Sequence, residues 1–396
     1  MRSPATLAAV AALLAAGCAS LPDPALREGI VDARRERVCT FEEMVEDLAT
    51  VRMVFVGETH TNPAHHEVQR RVLEALSHRR RHLIVGLEMV QRPYQETLDA
   101  WSAGEMDEET FLREGNWFGQ WGFEWELYAP ILRLARDRRI RAVGLNVDRS
   151  FIAEVRRKGL EGVSPWVRSR LPDEIDLSVK AHRKSMREVF SSSAGHPGAE
   201  DGAEDRFRML YEAQVTWDET MAESAVRALA AAPPDAAIVV LAGLYHVKDF
   251  HAIPERARRR NGLDYRVVLP LDEDQVPPEG VRLGMGRAAD YVVFTPPTPP
   301  SQAVWFGVAL RGGDTLVTSV AGGSAAAAAG LREGDFLVAV DDRKVSDPVD
   351  IRLALEARVP GDRVRVRWRR DGAAMEGEAA LPLRPDPFAP RPPAPK

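Results

Sequence analysis

Five side chains that can bind a metal ion or transfer a proton lie within ten residues of one another early in the chain. They follow an apolar run at residues 53–56, and a helix is predicted to begin among them because Asn62 suits a helix cap and Pro63 suits the first turn. Imidazoles and carboxylates at this density favour metal binding or general acid–base chemistry. The plainer alternative is a polar strand-to-helix loop with no chemical role. The five are Glu58, His60, His65, His66 and Glu67.

The elements that would position these side chains alternate between strand and helix. Apolar runs predict strands at 53–56, 83–87, 141–145, 236–242 and 265–269, with amphipathic helices between them. The alternation predicts an α/β fold over residues 41–270, a mostly parallel sheet wrapped by helices. Because parallel strands all end at one edge of a sheet, several polar side chains should meet there. They are Glu58, His60, Glu88 and His246, with Asn146 and Asp148 at a neighbouring strand end.

Two carboxylates and two imidazoles in one pocket predict either a divalent-metal site or a general acid–base pair. Glu58, His60, Glu88 and His246 are therefore the candidate catalytic residues and the candidate metal ligands. A single histidine at a strand end more often serves as a hydrogen-bonded structural group, and the joint placement of all four is what favours a functional site.

Five short motifs follow one another along residues 40–269: Gly57-Glu58-x-His60, Gly86-Leu87-Glu88-Met89, Trp125-x-x-Tyr128, Gln214-x-x-Trp217-Asp218 and Gly243-x-x-His246. In their order and spacing these residues resemble the ChaN-like haem-binding lipoproteins, which lie within the wider Tiki and erythromycin-esterase-like superfamily. The resemblance implies haem binding, with the iron held by a tyrosine and the propionates met by a histidine, in a homodimer with facing haems. Tyrosinate is a hard anionic ligand that suits ferric haem. The candidate haem-binding residues are Tyr128, Tyr211, Tyr245, His65 and His66.

The wider superfamily contains hydrolases, so a metal-dependent hydrolase or peptidase that uses the four-residue pocket is the rival hypothesis. The chain has no His-Glu-x-x-His helix and no Gly-x-Ser-x-Gly nucleophile motif, which disfavours the common zinc-peptidase and serine-hydrolase mechanisms.

The N-terminus has the features of a bacterial export signal. Residues 1–17 combine a basic start with an apolar run, and the following Cys18 resembles a lipidated cysteine. We therefore expect a lipoprotein tethered by residues 18–40, in the outer membrane and facing the periplasm. Lipidation of Cys18 would leave Cys39 as the single thiol. The formal net charge of −6 argues against a general nucleic-acid binder.

The C-terminal part has a different character. Residues 271–302 are rich in proline and charge and predict a linker with a short strand at 291–294, and residues 384–396 predict a disordered tail. Beyond the linker, Ser324-Ala325 is followed by Ala329-Gly330-Leu331-x-x-Gly334-Asp335. With this motif residues 303–383 resemble a bacterial PDZ domain, a small β-rich fold with two helices. In this resemblance Phe306, Gly307 and Val308 form the loop whose backbone N–H groups bind a peptide carboxylate. The domain implies a C-terminal peptide or an envelope protein as partner. A scaffold that acts mainly through this domain is a further alternative.

Overall fold

The computed structural model describes residues 29–193, 202–273, 288–299, 301–311 and 314–385. These residues form two compact units. The first contains the described residues up to Trp121 and from Tyr128 to Pro299. The second contains Gly122–Leu127 and the described residues from 301 onward. No helix among the described residues combines the length and the hydropathy needed to cross a membrane.

The first unit is built on an eight-stranded sheet in the order β2-β1-β8-β7-β3-β6-β4-β5. Every neighbouring pair from β8 to β5 is parallel, and β1 and β2 form an antiparallel hairpin at one edge. The central strands are apolar on both faces, as expected for a parallel sheet covered by helices. The strands are β1 (Ile30–Asp32), β2 (Arg37–Cys39), β3 (Met53–Val56), β4 (Leu83–Gln91), β5 (Arg141–Asn146), β6 (Ala237–Leu241), β7 (Tyr265–Asp272) and β8 (Tyr291–Thr295).

Helices fill the connections between these strands, and several begin at a recognisable cap. The Asn62 side chain accepts hydrogen bonds from the N–H groups of Ala64 and His65, and Pro63 occupies the first helical position. Short 3₁₀ turns lie at Arg92–Tyr94 and Leu160–Gly162. The helices are α1 (Phe41–Leu48), α2 (Pro63–Ser77), α3 (Gln95–Ala103), α4 (Glu108–Glu114), α5 (Trp117–Gln120), α6 (Trp125–Asp137), α7 (Arg149–Lys158), α8 (Pro165–Arg168), α9 (Lys180–Ser193), α10 (Ala203–Ala230), α11 (Leu244–Val247) and α12 (Ile253–Asn261).

The α/β architecture predicted for this part is confirmed, but two predicted boundaries are wrong. The tether predicted for residues 18–40 extends too far, because β1 and β2 within it are strands of the large sheet. The linker predicted for 271–302 includes the end of β7 and all of β8, which pair in parallel. The strand predicted at 291–294 is therefore confirmed, as a member of the sheet. The export signal, Cys18 and residues 386–396 of the predicted tail lie outside the described residues.

The second unit contains a two-stranded and a four-stranded antiparallel sheet, the latter in the order β12-β11-β13-β14. Its core includes Phe306, Ile351 and Trp368. This is the β-rich unit with two helices that the PDZ resemblance predicts. Its elements are β9 (Val308–Leu310), β10 (Val317–Val320), α13 (Ala325–Ala329), β11 (Phe336–Val340), β12 (Arg343–Lys344), α14 (Pro348–Ala354), β13 (Arg363–Arg370) and β14 (Ala373–Ala380).

Candidate functional site

The carboxyl edge of the parallel sheet brings the four predicted pocket residues together. Glu58 and His60 follow β3, and His246 lies in α11, directly after β6. Glu88 does not follow its strand as predicted, because β4 continues to Gln91 and includes it. Asn146, at the end of β5, donates a hydrogen bond of 3.1 Å to the backbone carbonyl of Glu88. Parallel topology is thus sufficient to assemble the pocket.

Glu58 and His60 form what we call the outer pair. His60 Nδ1 lies 2.5 Å from Glu58 Oε1. The Glu58 side chain is only 1% exposed, whereas that of His60 is 30% exposed, so the imidazole separates the carboxylate from solvent. Burial alone would lower the pKa of His60, but the charge and hydrogen bond of Glu58 outweigh it and raise that pKa. The outer pair is a partly exposed imidazole supported by a buried carboxylate.

Glu88, Asp218 and His246 form what we call the inner cluster. His246 Nδ1 lies 2.6 Å from Asp218 Oδ1, and His246 Nε2 lies 3.3 Å from Glu88 Oε1. Burial opposes charge on His246, but Glu88 and Asp218 together raise its pKa well above 6.5. Burial would likewise raise the pKa of Glu88, yet His246 lowers it to about 2. The inner cluster is therefore an imidazolium held between two buried carboxylates.

Gly243 is the point at which the outer pair and the inner cluster meet. Its N–H donates to Glu88 Oε2 at 2.5 Å. A Cβ atom at this position would lie 2.8 Å from His60 Cε1 and 3.5 Å from Glu88 Oε2. Since real Cβ atoms do not approach other atoms so closely, a glycine is required for this packing.

His65 and His66 are buried, which does not suit the haem-ligand role predicted for them. His65 Nδ1 accepts a hydrogen bond of 3.0 Å from the Thr59 N–H, and its Nε2 lies 3.4 Å from Asp272 Oδ1. His66 Nε2 lies 3.2 Å from the His60 carbonyl oxygen. Burial lowers the pKa of both imidazoles. We conclude that these two histidines support the loop that carries the outer pair.

The three candidate tyrosines differ sharply in exposure. Tyr128 is buried, with its ring against His66 and its hydroxyl 3.5 Å from the His60 carbonyl. Tyr211 is buried too, its hydroxyl donates to the Val179 carbonyl, and burial raises its pKa to about 12. Tyr245 is 49% exposed and directly precedes His246. Of the chain's six tyrosines, all within the described residues, Tyr245 alone is largely exposed.

Three residues that hold the inner cluster were not among the predicted site residues, although two of them, Gln214 and Asp218, belong to a motif of the family resemblance. Asp218 and Gln214 lie one turn apart on α10, and both contact His246 Nδ1. His182, on α9, places its Nε2 3.6 Å from Asp218 Oδ2. The available signal was the motif Gln214-x-x-Trp217-Asp218, whose acid and amide are four residues apart and therefore lie on one face of a helix. Asp148, expected near the pocket, instead caps α7 through the Ser150 N–H.

The arrangement does not support the divalent-metal site predicted at Glu58, His60, Glu88 and His246. Within the described part of the chain, no group of three or more His, Cys, Asp or Glu side chains could hold a metal ion. The physical reason is that the imidazole nitrogens face carboxylates within the protein: His60 Nδ1 faces Glu58, and both nitrogens of His246 face acids. Their lone pairs do not converge on a common point, as metal ligands must.

The predicted peptide-binding loop has a left-handed backbone conformation at Gly307. Phe306 is buried in the core of the second unit, and Val308 begins β9. Gly307 has φ +73°, and its carbonyl accepts from the Ala321 N–H at 2.9 Å. A Cβ at Gly307 would collide with Ser324, so this position also requires glycine.

Comparison with known proteins gives a family for each part of the chain. Residues 44–257 match the family described as haem-binding uptake, Tiki superfamily, ChaN, and residues 300–381 match the PDZ domain. None of the curated proteins matches the chain.

Among solved structures, the ChaN protein of Campylobacter jejuni, described with cofacial haem binding, is 20% identical with a TM-score of 0.53. The match covers 68% of this chain and 97% of that one. An erythromycin esterase mutant in its open conformation is 14% identical with a TM-score of 0.42, covering 69% of this chain and 98% of that one. At this identity the first likeness shows a shared fold. Because the family match spans more than half of its residues, the chain belongs to the ChaN family of haem-binding uptake proteins in the Tiki superfamily, and it carries a PDZ domain behind that part.

Proposed function

We propose that this chain binds haem at the carboxyl edge of its parallel sheet and that Tyr245 is the iron ligand. The observation that carries the proposal is the exposure of Tyr245, which is 49% accessible beside the inner cluster while Tyr128 and Tyr211 are buried. Haem, when bound, would supply a ferric iron suited to an anionic phenolate oxygen. A planar ligand of this size can reach an exposed phenol without displacing the core.

The inner cluster and the outer pair would have different tasks in haem binding. The inner cluster fixes the short turn of α11 that carries Tyr245, because His246 is held from two sides by Glu88 and Asp218. The outer pair presents the partly exposed imidazole of His60, whose raised pKa favours a positive charge. A cationic His60 suits the propionate carboxylates, in the role that the family resemblance gives to a histidine.

We further propose that two copies of the chain associate through their haems. This rests on the description of the C. jejuni protein as a cofacial haem binder and on the fold that it shares with this chain. An exposed tyrosine at a sheet edge is compatible with such pairing, because a ligand bound there would itself be partly exposed.

The proposed setting is the cell envelope. A lipid anchor at Cys18 would hold the chain in the outer membrane, facing the periplasm, where it would take part in iron or haem uptake. The PDZ domain would recruit an envelope protein by its C-terminal carboxylate at Phe306, Gly307 and Val308. If the chain acts mainly as a scaffold, blocking this loop should abolish its function while haem binding is retained.

A haemin titration of the chain starting at Ala19, followed by visible absorption, tests the haem proposal. We expect a saturable shifted Soret band that is lost in Tyr245→Phe and retained in Tyr211→Phe, the matched control with a buried phenol. If the wild-type chain gives no saturable band, the haem proposal fails. If the band survives in Tyr245→Phe, the ligand assignment fails.

A second candidate function is hydrolysis by general acid–base catalysis at the outer pair. The observation that favours it is the 2.5 Å contact between the partly exposed His60 and the buried Glu58. A panel of ester and peptide substrates, assayed with wild type and Glu58→Gln, tests it. Turnover in the wild type that falls at least a hundredfold in Glu58→Gln would support this candidate, and turnover equal in both would exclude it.

A further inference from the structure

One face of the second unit carries a regular row of arginines. β13 alternates between arginine and an apolar residue from position 363 to 368, so Val364, Val366 and Trp368 enter the core and the arginines face outward. The outward arginines are all exposed and, at two residues per repeat, follow one another at roughly 6.6 Å. We call them the arginine row: Arg363, Arg365, Arg367 and Arg369.

Most of the charge on the arginine row is not neutralised by acidic side chains. Arg363 pairs with Glu378 at 3.1 Å, and Arg367 donates to the backbone carbonyl of Asp341. Within the described part of the chain, Arg365, Arg367 and Arg369 make no ion pair. The acidic groups on the neighbouring strand are Glu378, opposite Arg365, and Glu376, opposite Arg367. The four arginines therefore exceed the two facing carboxylates by two charges.

An exposed aromatic side chain extends the same face. Phe336 pairs in register with Arg369 across β11 and β13, so the two side chains point to the same side of the sheet. Phe336 is 46% exposed, which is high for a phenylalanine in a strand. The face thus combines guanidinium groups with an apolar ring at one end.

We propose that the arginine row and Phe336 form a docking surface for an anionic lipid bilayer. Guanidinium groups bind phosphate oxygens in a bidentate manner, and anionic headgroups attract basic residues that lie near them. The apolar ring of Phe336 at the end of such a row can enter the boundary between the headgroups and the acyl chains. The occupant is a surface of many phosphates rather than a single anion, since the row presents four exposed guanidinium groups at regular spacing along one strand.

Two other kinds of partner fit the face less well. A nucleic acid would use the same arginines, but it offers the exposed ring of Phe336 no apolar phase to enter. An acidic protein segment would need apolar contacts along the whole row in addition to ion pairs. Phe336 offers such a contact at one end only. The docking surface does not depend on the lipid anchor proposed at Cys18.

Vesicle co-sedimentation tests the proposal with the chain starting at Ala19, which contains all the described residues and has no anchor. The probes are vesicles of phosphatidylcholine alone and vesicles containing one third phosphatidylglycerol. We expect binding only to the anionic vesicles, weakening as salt rises. Arg365→Gln with Arg369→Gln should reduce the partition coefficient on the order of twentyfold, at about fivefold for each arginine.

The matched control replaces Arg311 and Arg332, two exposed arginines of the same unit that lie off the row. It removes the same charge and should lower binding by less than twofold. Phe336→Ser should weaken binding without changing its salt dependence. Equal loss in the row variant and in the control would overturn the proposal, as would equal binding to both kinds of vesicle. Binding to a soluble polyanion such as heparin, with none to anionic vesicles, would also overturn it and assign the face to an anionic macromolecule.

Discussion

The outer pair and the inner cluster contain the same kinds of group in different surroundings. In the outer pair one carboxylate supports an imidazole that is 30% exposed, and in the inner cluster two carboxylates surround an imidazole that is almost wholly buried. Exposure therefore separates a histidine that can meet a ligand from one that holds the site together. A motif of Glu and His residues does not by itself distinguish these two roles.

Removing the histidine of the inner cluster should lower the free energy of unfolding much more than removing the histidine of the outer pair, and this is the largest effect we expect. His246→Ala leaves Glu88 and Asp218 buried without their shared cation, and we expect a loss of about 3–5 kcal/mol in the free energy of unfolding. His60→Ala should lose no more than ~1–2 kcal/mol, because water can reach the vacated position. Urea unfolding of both variants beside wild type measures the difference. Equal losses would contradict the separation of roles.

The same variants should respond differently to haemin. His60→Ala is expected to remain folded and to bind haemin more weakly, by about fivefold to tenfold, as for the loss of one charge-assisted hydrogen bond. A matched His82→Ala variant, on a surface histidine paired with Asp235, should bind like wild type. Titration of both by visible absorption checks this. Unchanged affinity in His60→Ala would remove the outer pair from the haem site.

The inner cluster should also impose a pH dependence on stability. The pKa of Glu88 is lowered to about 2, so its contribution is complete above roughly pH 4.5 and is lost as pH falls towards 2. The pKa of His246 is raised well above 6.5, so its contribution is complete below that value and is lost as pH rises through the raised pKa. The stability gap between wild type and His246→Gln should thus be widest between about pH 4.5 and 6.5. Urea unfolding across pH 3–9 tests this, and a gap independent of pH would refute it.

Replacing either of two glycines by alanine should destabilise the protein less than His246→Ala does, and the two losses should differ in size. A Cβ at Gly57 would lie 2.8 Å from both Leu269 Cδ2 and Val247 Cγ2 in the core, whereas at Gly243 it would meet the partly exposed ring of His60. We expect Gly57→Ala to destabilise the protein by about 2 kcal/mol and Gly243→Ala by about 1 kcal/mol. Thermal unfolding ranks the two variants. Gly243→Ala should nevertheless weaken haemin binding more than Gly57→Ala, since it displaces His60.

The sheet of the first unit and the pocket at its edge could be predicted from the sequence, because both depend on the strands being parallel. Apolar runs at β3, β4 and β6 predict buried parallel strands, and parallel strands must deliver Glu58, Glu88 and His246 to one edge. The PDZ unit could be recognised because Gly330 and Gly334 adopt left-handed backbone conformations that favour glycine, and the buried Asp335 accepts a hydrogen bond from the Arg332 N–H.

The features that could not be predicted from the sequence depend on contacts between segments that are distant in the chain. Asp218 became a partner of His246 only because α10 packs against the sheet at β4, β5 and β6, and no local pattern specifies that packing. β1 and β2 have three residues each and resembled a tether, because β1 pairs with β8, some 260 residues away, and β2 pairs only with β1. Tyr128, Tyr211 and Tyr245 could not be ranked beforehand, because tertiary packing determines their exposure.

Resonance Raman spectroscopy of the haemin-loaded chain is the most direct test of whether Tyr245 binds the haem iron, with ring-deuterated tyrosine used to identify phenolate modes. We expect iron–phenolate bands that shift on deuteration, disappear in Tyr245→Phe, and persist in Tyr128→Phe and Tyr211→Phe. Phenolate bands that persist in Tyr245→Phe, or a loaded wild-type chain without them, would contradict the assignment of Tyr245 as the iron ligand.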